Sequence, residues 1–284
     1  MTIMFKTLID PATLAAHLDD PNWIVIDCRF DLADPPKGEQ LYLESHIPGA
    51  RYAHLDRDLS GTKTGANGRH PLPIADDMRT RFGALGIGAG MQVVGYDADS
   101  GMYAARLWWM LRYMGHDAAA VLDGGFARWV REGFATRGGA ETRAAAIFEG
   151  APREGWRLSA ADVLSGLGLP ARVLVDARAE PRFRGDSETL DAKAGHIPGA
   201  RNYFFQRNLA EDKTFRTTED LRAGWLALLA GTPPDQAVMY CGSGVTACHN
   251  LLALEHAGLH GARIYPGSWS EWSSDPARPI ATGE

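Results

Sequence analysis

Cysteine is scarce in this 284-residue chain, which holds three: Cys28, Cys241 and Cys248. An odd and small number argues against a disulfide framework and for a reducing compartment, where a cysteine that matters acts as a thiol. Long apolar runs are missing as well. The longest strongly apolar stretch, residues 107–114, includes Arg112 and falls far short of the roughly 20 residues of a membrane span. The opening MTIMFKTLID has no basic stretch leading into an apolar run, so neither a signal peptide nor an anchor is expected and cytoplasmic residence is the default. A basic surplus is absent too. With 29 Lys and Arg against 35 Asp and Glu, the net charge of −6 offers neither nucleic acid nor an anionic membrane a net basic field. What remains is ordinary globular composition, 45% hydrophobic and 23% charged, in a length that corresponds to about two domains.

The chain repeats itself. IVIDCRF (24–30) recurs as VLVDARA (173–179), and SHIPGARY (45–52) recurs as GHIPGARN (195–202), about 150 residues later in each case. Further on, VVGYDADSGMYAARLWWML (93–111) parallels AVMYCGSGVTACHNLLAL (237–254), and LDGGFARW (122–129) parallels YPGSWSEW (265–272). Each copy reads as a helix (11–18; 160–167), a β-branched strand ending in Asp, the HIPGA turn, a helix (76–85; 218–229) and a second apolar strand (92–96; 237–240). A helix rich in Ala and Leu follows and ends at Gly115 or Gly258. Strands and helices alternating at these lengths predict an α/β fold, a parallel sheet with helices on both faces, built twice. The expected division is 1–138 and 156–284, joined by a linker over 139–155 in the Gly-, Ala- and Arg-rich stretch that lacks periodicity.

Residues common to both copies are explained most simply by the shared fold, so chemistry is sought where the copies diverge. At the end of the strand before the long helix the first copy has Asp97 and the second has Cys241. Open α/β sheets place ligands at the carboxyl ends of their strands. In Cys241-Gly242-Ser243-Gly244-Val245-Thr246-Ala247, two glycines in four residues let the backbone curl with its N–H groups inward. The helix that follows adds unpaired donors and a partial positive charge. Such a nest favours an anion, and a thiolate is the nucleophilic form of cysteine. Cys28, opposite Ala177 in the other copy, and Cys248, two turns into an apolar helix, read as packing residues. His46 and His196 occur in both copies and read as turn residues bonded to backbone. Asp97 reads as a loop or cap residue that leaves the first domain non-catalytic. A cysteine phosphatase would need an arginine as the sixth residue after the nucleophile to match the phosphate oxygens, and that residue is Ala247. Cys241, Cys248 and His249 do not match common zinc spacings, so no metal is expected.

With VLVDAR, GHIPGAR, YCGSGVTA and YPGSWSEW in order, the chain resembles the tandem-domain rhodanese sulfurtransferases. CGSGVTA is similar to the loop of the branch of that family that uses 3-mercaptopyruvate. Thiosulfate-preferring members usually carry Arg and Lys where this chain has Gly242 and Ser243. The resemblance implies that Cys241 attacks the sulfur of 3-mercaptopyruvate, releases pyruvate and holds the sulfur as a persulfide. The sulfur then passes to cyanide or to a thiol acceptor such as thioredoxin or a small thiol, and no cofactor is involved. It further implies that Gly242, Gly244, Val245 and Thr246 cradle the sulfur and that Arg182, in EPRFRG, binds the substrate carboxylate. It also implies a proton relay of Ser243, His70 in GRHPLP, and Asp56. The family usually has a second substrate arginine in a longer loop before GHIPGA. Here that loop is DSETLDAKA (186–194), which has no arginine, and Arg184 or Lys193 is the expected substitute. Two other readings stand beside this one: thiosulfate as donor in the same persulfide chemistry, and a non-catalytic rhodanese module that binds or regulates.

Overall fold

The structure is a computed structural model that describes residues 4–169 and 171–283. The chain separates into two compact units that do not follow a single cut. One comprises residues up to Gly61, Pro73–Arg153 and Glu211–Phe215, and the other comprises Thr62–Leu72, Glu154–Ala210 and the chain from Arg216 onward.

The first unit runs β1 (Leu8–Ile9), α1 (Pro11–Ala15), β2 (Trp23–Asp27), α2 (Lys37–Glu44), β3 (Arg51–Tyr52), α3 (Ala75–Leu85), β4 (Gln92–Tyr96), α4 (Ala104–Tyr113), β5 (Ala119–Leu122) and α5 (Gly125–Arg131). Its strands form one parallel sheet in the order β1-β5-β4-β2-β3. The central strands WIVID and QVVGY are buried throughout, as expected of parallel strands covered on both faces. Trp23, Val25, Val94, Leu122 and Trp129 build the core on one face. The residues from Thr136 to Arg153 lie along this unit, with Ala146 N–H on Gly83 C=O and Arg153 N–H on Tyr113 C=O.

The second unit runs α6 (Ala160–Ser165), β6 (Val173–Asp176), α7 (Glu180–Arg184), β7 (Arg201–Asn202), α8 (Thr218–Leu229), β8 (Ala237–Tyr240), α9 (Thr246–His256), β9 (Arg263–Ile264) and α10 (Ser268–Trp272). Its parallel sheet has the order β7-β6-β8-β9, over a core that includes Val163, Val238, Tyr240, Trp269 and Trp272. Removing one such tryptophan side chain costs about 3–5 kcal/mol. Among the described residues no helix is long and apolar enough to cross a membrane.

Polar side chains set the helix starts. Asp10 accepts from Thr13 N–H ahead of Pro11, Ser159 and Asp162 form a reciprocal capping box, and Thr217 accepts from Asp220 N–H. Each satisfies an N–H that a helix start leaves unpaired. Helices α1 and α6 end two to three residues before the apolar spacing does. Their last turns tighten into three-residue bonds, His17 N–H to Leu14 C=O and Leu167 N–H to Leu164 C=O, a usual way to satisfy a helix end.

The repeat extends to side-chain detail. In β2, Asp27 receives Arg29 Nε and Nη2 at 2.9 and 2.6 Å, and Tyr96 Oη donates to it at 2.6 Å. In β6, Asp176 receives Arg178 Nε and Nη2 at 3.0 and 2.7 Å. Both guanidiniums go on to a main-chain carbonyl, that of Ser45 or of Gly195, at 2.6 Å. Each also lies against an aromatic ring, Phe126 at 4.4 Å or Trp269 at 4.8 Å. The paired histidines are structural in the same way, with His46 Nδ1 on Tyr42 C=O and His196 Nδ1 on Phe183 C=O.

Candidate active site

Strand β8 lies in register with β6, Asp176 opposite Tyr240, which brings Cys241 to the carboxyl edge of the sheet one residue beyond the strand. Three backbone groups there are taken up by the start of α10. Cys241 N–H donates to Ser268 Oγ (3.1 Å), Cys241 C=O accepts from Trp269 N–H (2.9 Å), and Gly242 C=O accepts from Ser270 N–H (2.9 Å). Gly244 then turns the chain back at φ +78°, and a Cβ there would stand 2.2 Å from the Pro266 carbonyl oxygen, so only glycine fits. The turn aims Gly244 N–H at Cys241 Sγ, 3.1 Å away. Cys241 is 2% exposed, and α9 begins at Thr246, so the sulfur sits before a helix start whose first N–H groups lack carbonyl partners within the helix.

Ser243, on the same loop, lies 2.7 Å from His70 Nδ1, and both are buried. His70 arrives on the strap Thr62–Leu72, which packs within the second unit. That strap is fixed at Gly68 and Arg69. Gly68 has φ +87° and stands so close to α10 that a Cβ would meet the Gly267 carbonyl at 2.9 Å, and Arg69 N–H donates to Ser270 Oγ at 3.0 Å. Of the expected relay, Ser243 and His70 are therefore joined. Asp56 belongs to the first unit, in the turn after β3, where its N–H donates to His54 Nδ1 at 3.1 Å.

The two arginines of EPRFRG part company. They stand two residues apart on α7, which turns them to different faces of a helix. Arg182 reaches the loop. Its Nη1 and Nη2 come within 3.6 and 3.7 Å of where a Cβ on Gly242 would be. Its Nε and Nη2 clamp Glu188 at 3.2 and 2.8 Å, and Nη2 also meets Asp191 at 3.3 Å. Burial acts to raise the Glu188 carboxyl, but hydrogen bonds from Arg182 and from the Leu190 and Asp191 N–H groups prevail and hold it below its ordinary range. Arg184 makes other contacts. It is 40% exposed and pairs with Glu180 and Asp186 at 3.5 and 3.6 Å, on the solvent side of α7. Lys193 lends a carbonyl to Trp269 Nε1.

One residue beside the loop had no role in the sequence reading. Arg69 Nη2 lies 2.7 Å from the position of a Gly242 Cβ, closer than Arg182. Its Nη1 is ion-paired with Asp191. The only sequence signal was its place next to His70 in GRHPLP.

The other thiols stand apart from this chemistry. Cys28 is buried, and burial together with Asp27, Asp97 and Asp58 pushes its thiol far up. Cys248, wholly buried in α9, donates to Gly244 C=O at 3.3 Å. In the first unit the position matching Cys241 is Asp97. Its carboxylate accepts from Gly101 N–H (2.9 Å), Tyr103 N–H (2.7 Å) and Ala104 N–H (3.1 Å).

Known proteins agree with this architecture. The rhodanese-like domain family matches residues 10–132 and 159–275. The chain is 47% identical to the probable 3-mercaptopyruvate sulfurtransferase of Pseudomonas aeruginosa over 98% of both chains. It is 37% identical to the putative thiosulfate sulfurtransferase SseB of Mycobacterium tuberculosis, again over 98% of both. Among solved structures, SseA of Escherichia coli, described as a 3-mercaptopyruvate sulfotransferase, superposes with a TM-score of 0.80 at 31% identity, over 94% of this chain and all of that one. A cysteine at a strand end, a glycine-turned loop around its sulfur and two parallel sheets built on one plan thus come together in a chain that belongs to the rhodanese family and is a sulfurtransferase.

Proposed function

We propose that the protein moves sulfane sulfur from 3-mercaptopyruvate, through a persulfide on Cys241, to a thiol or cyanide, and releases pyruvate. The observation that carries this reading is the Gly244 N–H on Cys241 Sγ at 3.1 Å, in a loop that closes around one buried sulfur. A main-chain N–H aimed at a sulfur stabilises its anion, and the anion is the nucleophile.

In the first step the Cys241 thiolate attacks the donor sulfur. A sulfur–sulfur bond forms, the carbon–sulfur bond breaks, and its electron pair leaves on carbon as the enolate of pyruvate. The proton carried by the donor thiol ends on that carbon, so the products are pyruvate and a deprotonated persulfide. Ser243 and His70, 2.7 Å apart, are suited to carrying this proton, since a serine–histidine pair can accept it at one end and return it at the other. Asp56, assigned to the same relay by resemblance, takes no part in this step. In the second step the acceptor attacks the outer sulfur, and the Cys241 thiolate is regenerated as leaving group.

The guanidiniums of Arg182 and Arg69 above Gly242 favour a donor that bears a carboxylate, because a planar fork matches two carboxylate oxygens. A second reading, thiosulfate as donor, draws support from the 37% identity to a putative thiosulfate sulfurtransferase. A non-catalytic binding module is disfavoured by a glycine-turned loop that closes on the sulfur. The deciding measurement is kcat/KM for both donors on one preparation, with the mass of the protein followed for the gain of one sulfur atom. The expected result is a marked preference for 3-mercaptopyruvate. A preference for thiosulfate overturns the donor and leaves the persulfide, while no gain in mass with either donor overturns the persulfide itself.

A further inference from the structure

The strand-end arginines Arg29 and Arg178 are bonded alike to their aspartates and to a main-chain carbonyl, and they differ at one atom. Arg178 Nη1 meets Glu188 at 3.4 Å. Arg29 uses Nε and Nη2 on Asp27 and Ser45 C=O, and among the described residues its Nη1 has no hydrogen-bond or ion-pair partner. The residue is 5% exposed, and the Phe126 ring at 4.4 Å supports the guanidinium. An unbonded donor on a buried arginine calls for an explanation.

Arg29 lines a cavity of about 240 Å³ whose walls all belong to the first unit. It lies beyond the carboxyl ends of β2 and β4, where open α/β sheets take their ligands. Phe30, Leu41, Met102 and Tyr103 give it an apolar side, with the Phe30 and Tyr103 rings edge to face at 5.5 Å. The volume is below the roughly 300–1,000 Å³ of pockets for drug-sized ligands, so what fits is small. Charge selects further. Of the carboxyl groups on the lining, Asp97 is taken up by three N–H groups, and Asp31 by Lys37 Nζ and the Ala33 and Asp34 N–H groups. Asp99 has no such partner among the described residues, and its charge helps to push the Asp97 carboxyl up. One uncommitted guanidinium N–H and one uncommitted carboxylate thus share an apolar cavity. A simple anion would meet the repulsion of Asp99, and a simple cation would leave Arg29 Nη1 unmatched. A zwitterion answers both.

We propose that the first unit binds a small apolar α-amino acid in this cavity, with its carboxylate on Arg29 Nη1, its ammonium on Asp99 and its side chain against Phe30, Leu41, Met102 and Tyr103. The ligand oxygen does for Arg29 what Glu188 does for Arg178. The site is independent of which sulfur donor the second unit uses.

The test is a ligand-observed NMR titration of the full-length protein with three related aliphatic probes. These are L-leucine, 4-methylpentanoate, which lacks the ammonium, and 3-methylbutylamine, which lacks the carboxylate. Leucine is expected to bind about 10- to 100-fold more tightly than 3-methylbutylamine, the effect of a charged hydrogen bond to a buried arginine. Its advantage over 4-methylpentanoate is smaller, about 2- to 5-fold, because Asp99 is only half-buried. Asp99→Asn removes the second difference and keeps the first. Arg29→Gln would strip Asp27 of its partner and threaten the fold, so the carboxylate contact is read from the probes instead. Arg182→Ala, in the second unit, leaves leucine binding unchanged. Absence of leucine binding at millimolar concentration overturns the site. Equal binding of leucine and 3-methylbutylamine overturns the Arg29 contact, and equal binding of leucine and 4-methylpentanoate overturns the ammonium contact. Loss of leucine binding in Arg182→Ala overturns the proposal by placing the ligand in the second unit.

Discussion

The loops after β4 and β8 stand at the same place in two copies of one fold, and both wrap main-chain N–H groups around the side chain at the strand end. In each a glycine in the left-handed region, Gly101 at φ +74° or Gly244 at φ +78°, donates to that side chain. The first loop encloses a carboxyl group. Asp97 is buried, which pushes its carboxyl above the ordinary range against the pull of the N–H groups of Ala104, Tyr103 and Gly101. The second loop encloses a sulfur atom, onto which the Gly244 N–H is directed at 3.1 Å. The same turn thus surrounds a carboxyl group in one copy and a thiol in the other.

The sharpest way to break this comparison is to remove the two side chains in turn. Cys241→Ser is expected to abolish the gain of one sulfur atom and all pyruvate release, measured by intact-protein mass and by steady-state rate. Cys28→Ser should retain both, since that thiol is buried and held protonated. Asp97→Ala is expected to cost about 2–4 kcal/mol of stability by leaving three N–H groups unpaired, two of them buried, measured by urea denaturation. The persulfide should still form on the folded fraction. A stability equal to wild type would show that the first loop does not depend on its carboxyl group.

A smaller effect separates the two buried arginine pairs. Among the described residues Arg29 meets Asp27 alone among carboxylates, whereas Arg178 meets Asp176 and, at 3.4 Å, Glu188. Glu188 is held below its ordinary range. The stability it contributes is therefore present above the unfolded value of about 4.3 and is lost as pH falls through the folded value. Glu188→Gln should be less stable than wild type at pH 7, with the difference shrinking at acid pH below that window. Urea midpoints of both proteins across pH 3 to 7 test this, and a constant difference would assign the contribution of Glu188 to packing.

Much of this was legible in the chain because duplication makes a sequence its own control. The Asp-x-Arg strand ends, the HIPGA turns and the Asp97–Cys241 divergence could be read by laying one half on the other, and the parallel sheets followed from the spacing of apolar runs. The helix ends of α1 and α6 were not legible, since a last turn tightened by three-residue bonds keeps its apolar spacing. The setting of Arg69 was hidden for a different reason. Its bond to Ser270 spans 201 residues and the His70–Ser243 contact spans 173, and no local pattern encodes proximity across such distances. Arg182 and Arg184 looked alike because the sequence carries no mark of which face of a five-residue helix meets the loop.

The strap Thr62–Leu72 ties the first copy of the fold to the second. Duplication normally leaves each copy free to drift, yet the first copy lends the second the eleven residues that carry Arg69 and His70, and the second returns Glu211–Phe215, whose Phe215 N–H binds Asp123. A gene trimmed to the half that bears Cys241 would encode a sheet and a loop without the histidine beside Ser243. The loan ties the two copies to a common fate, so that selection acting on one reaction preserves both.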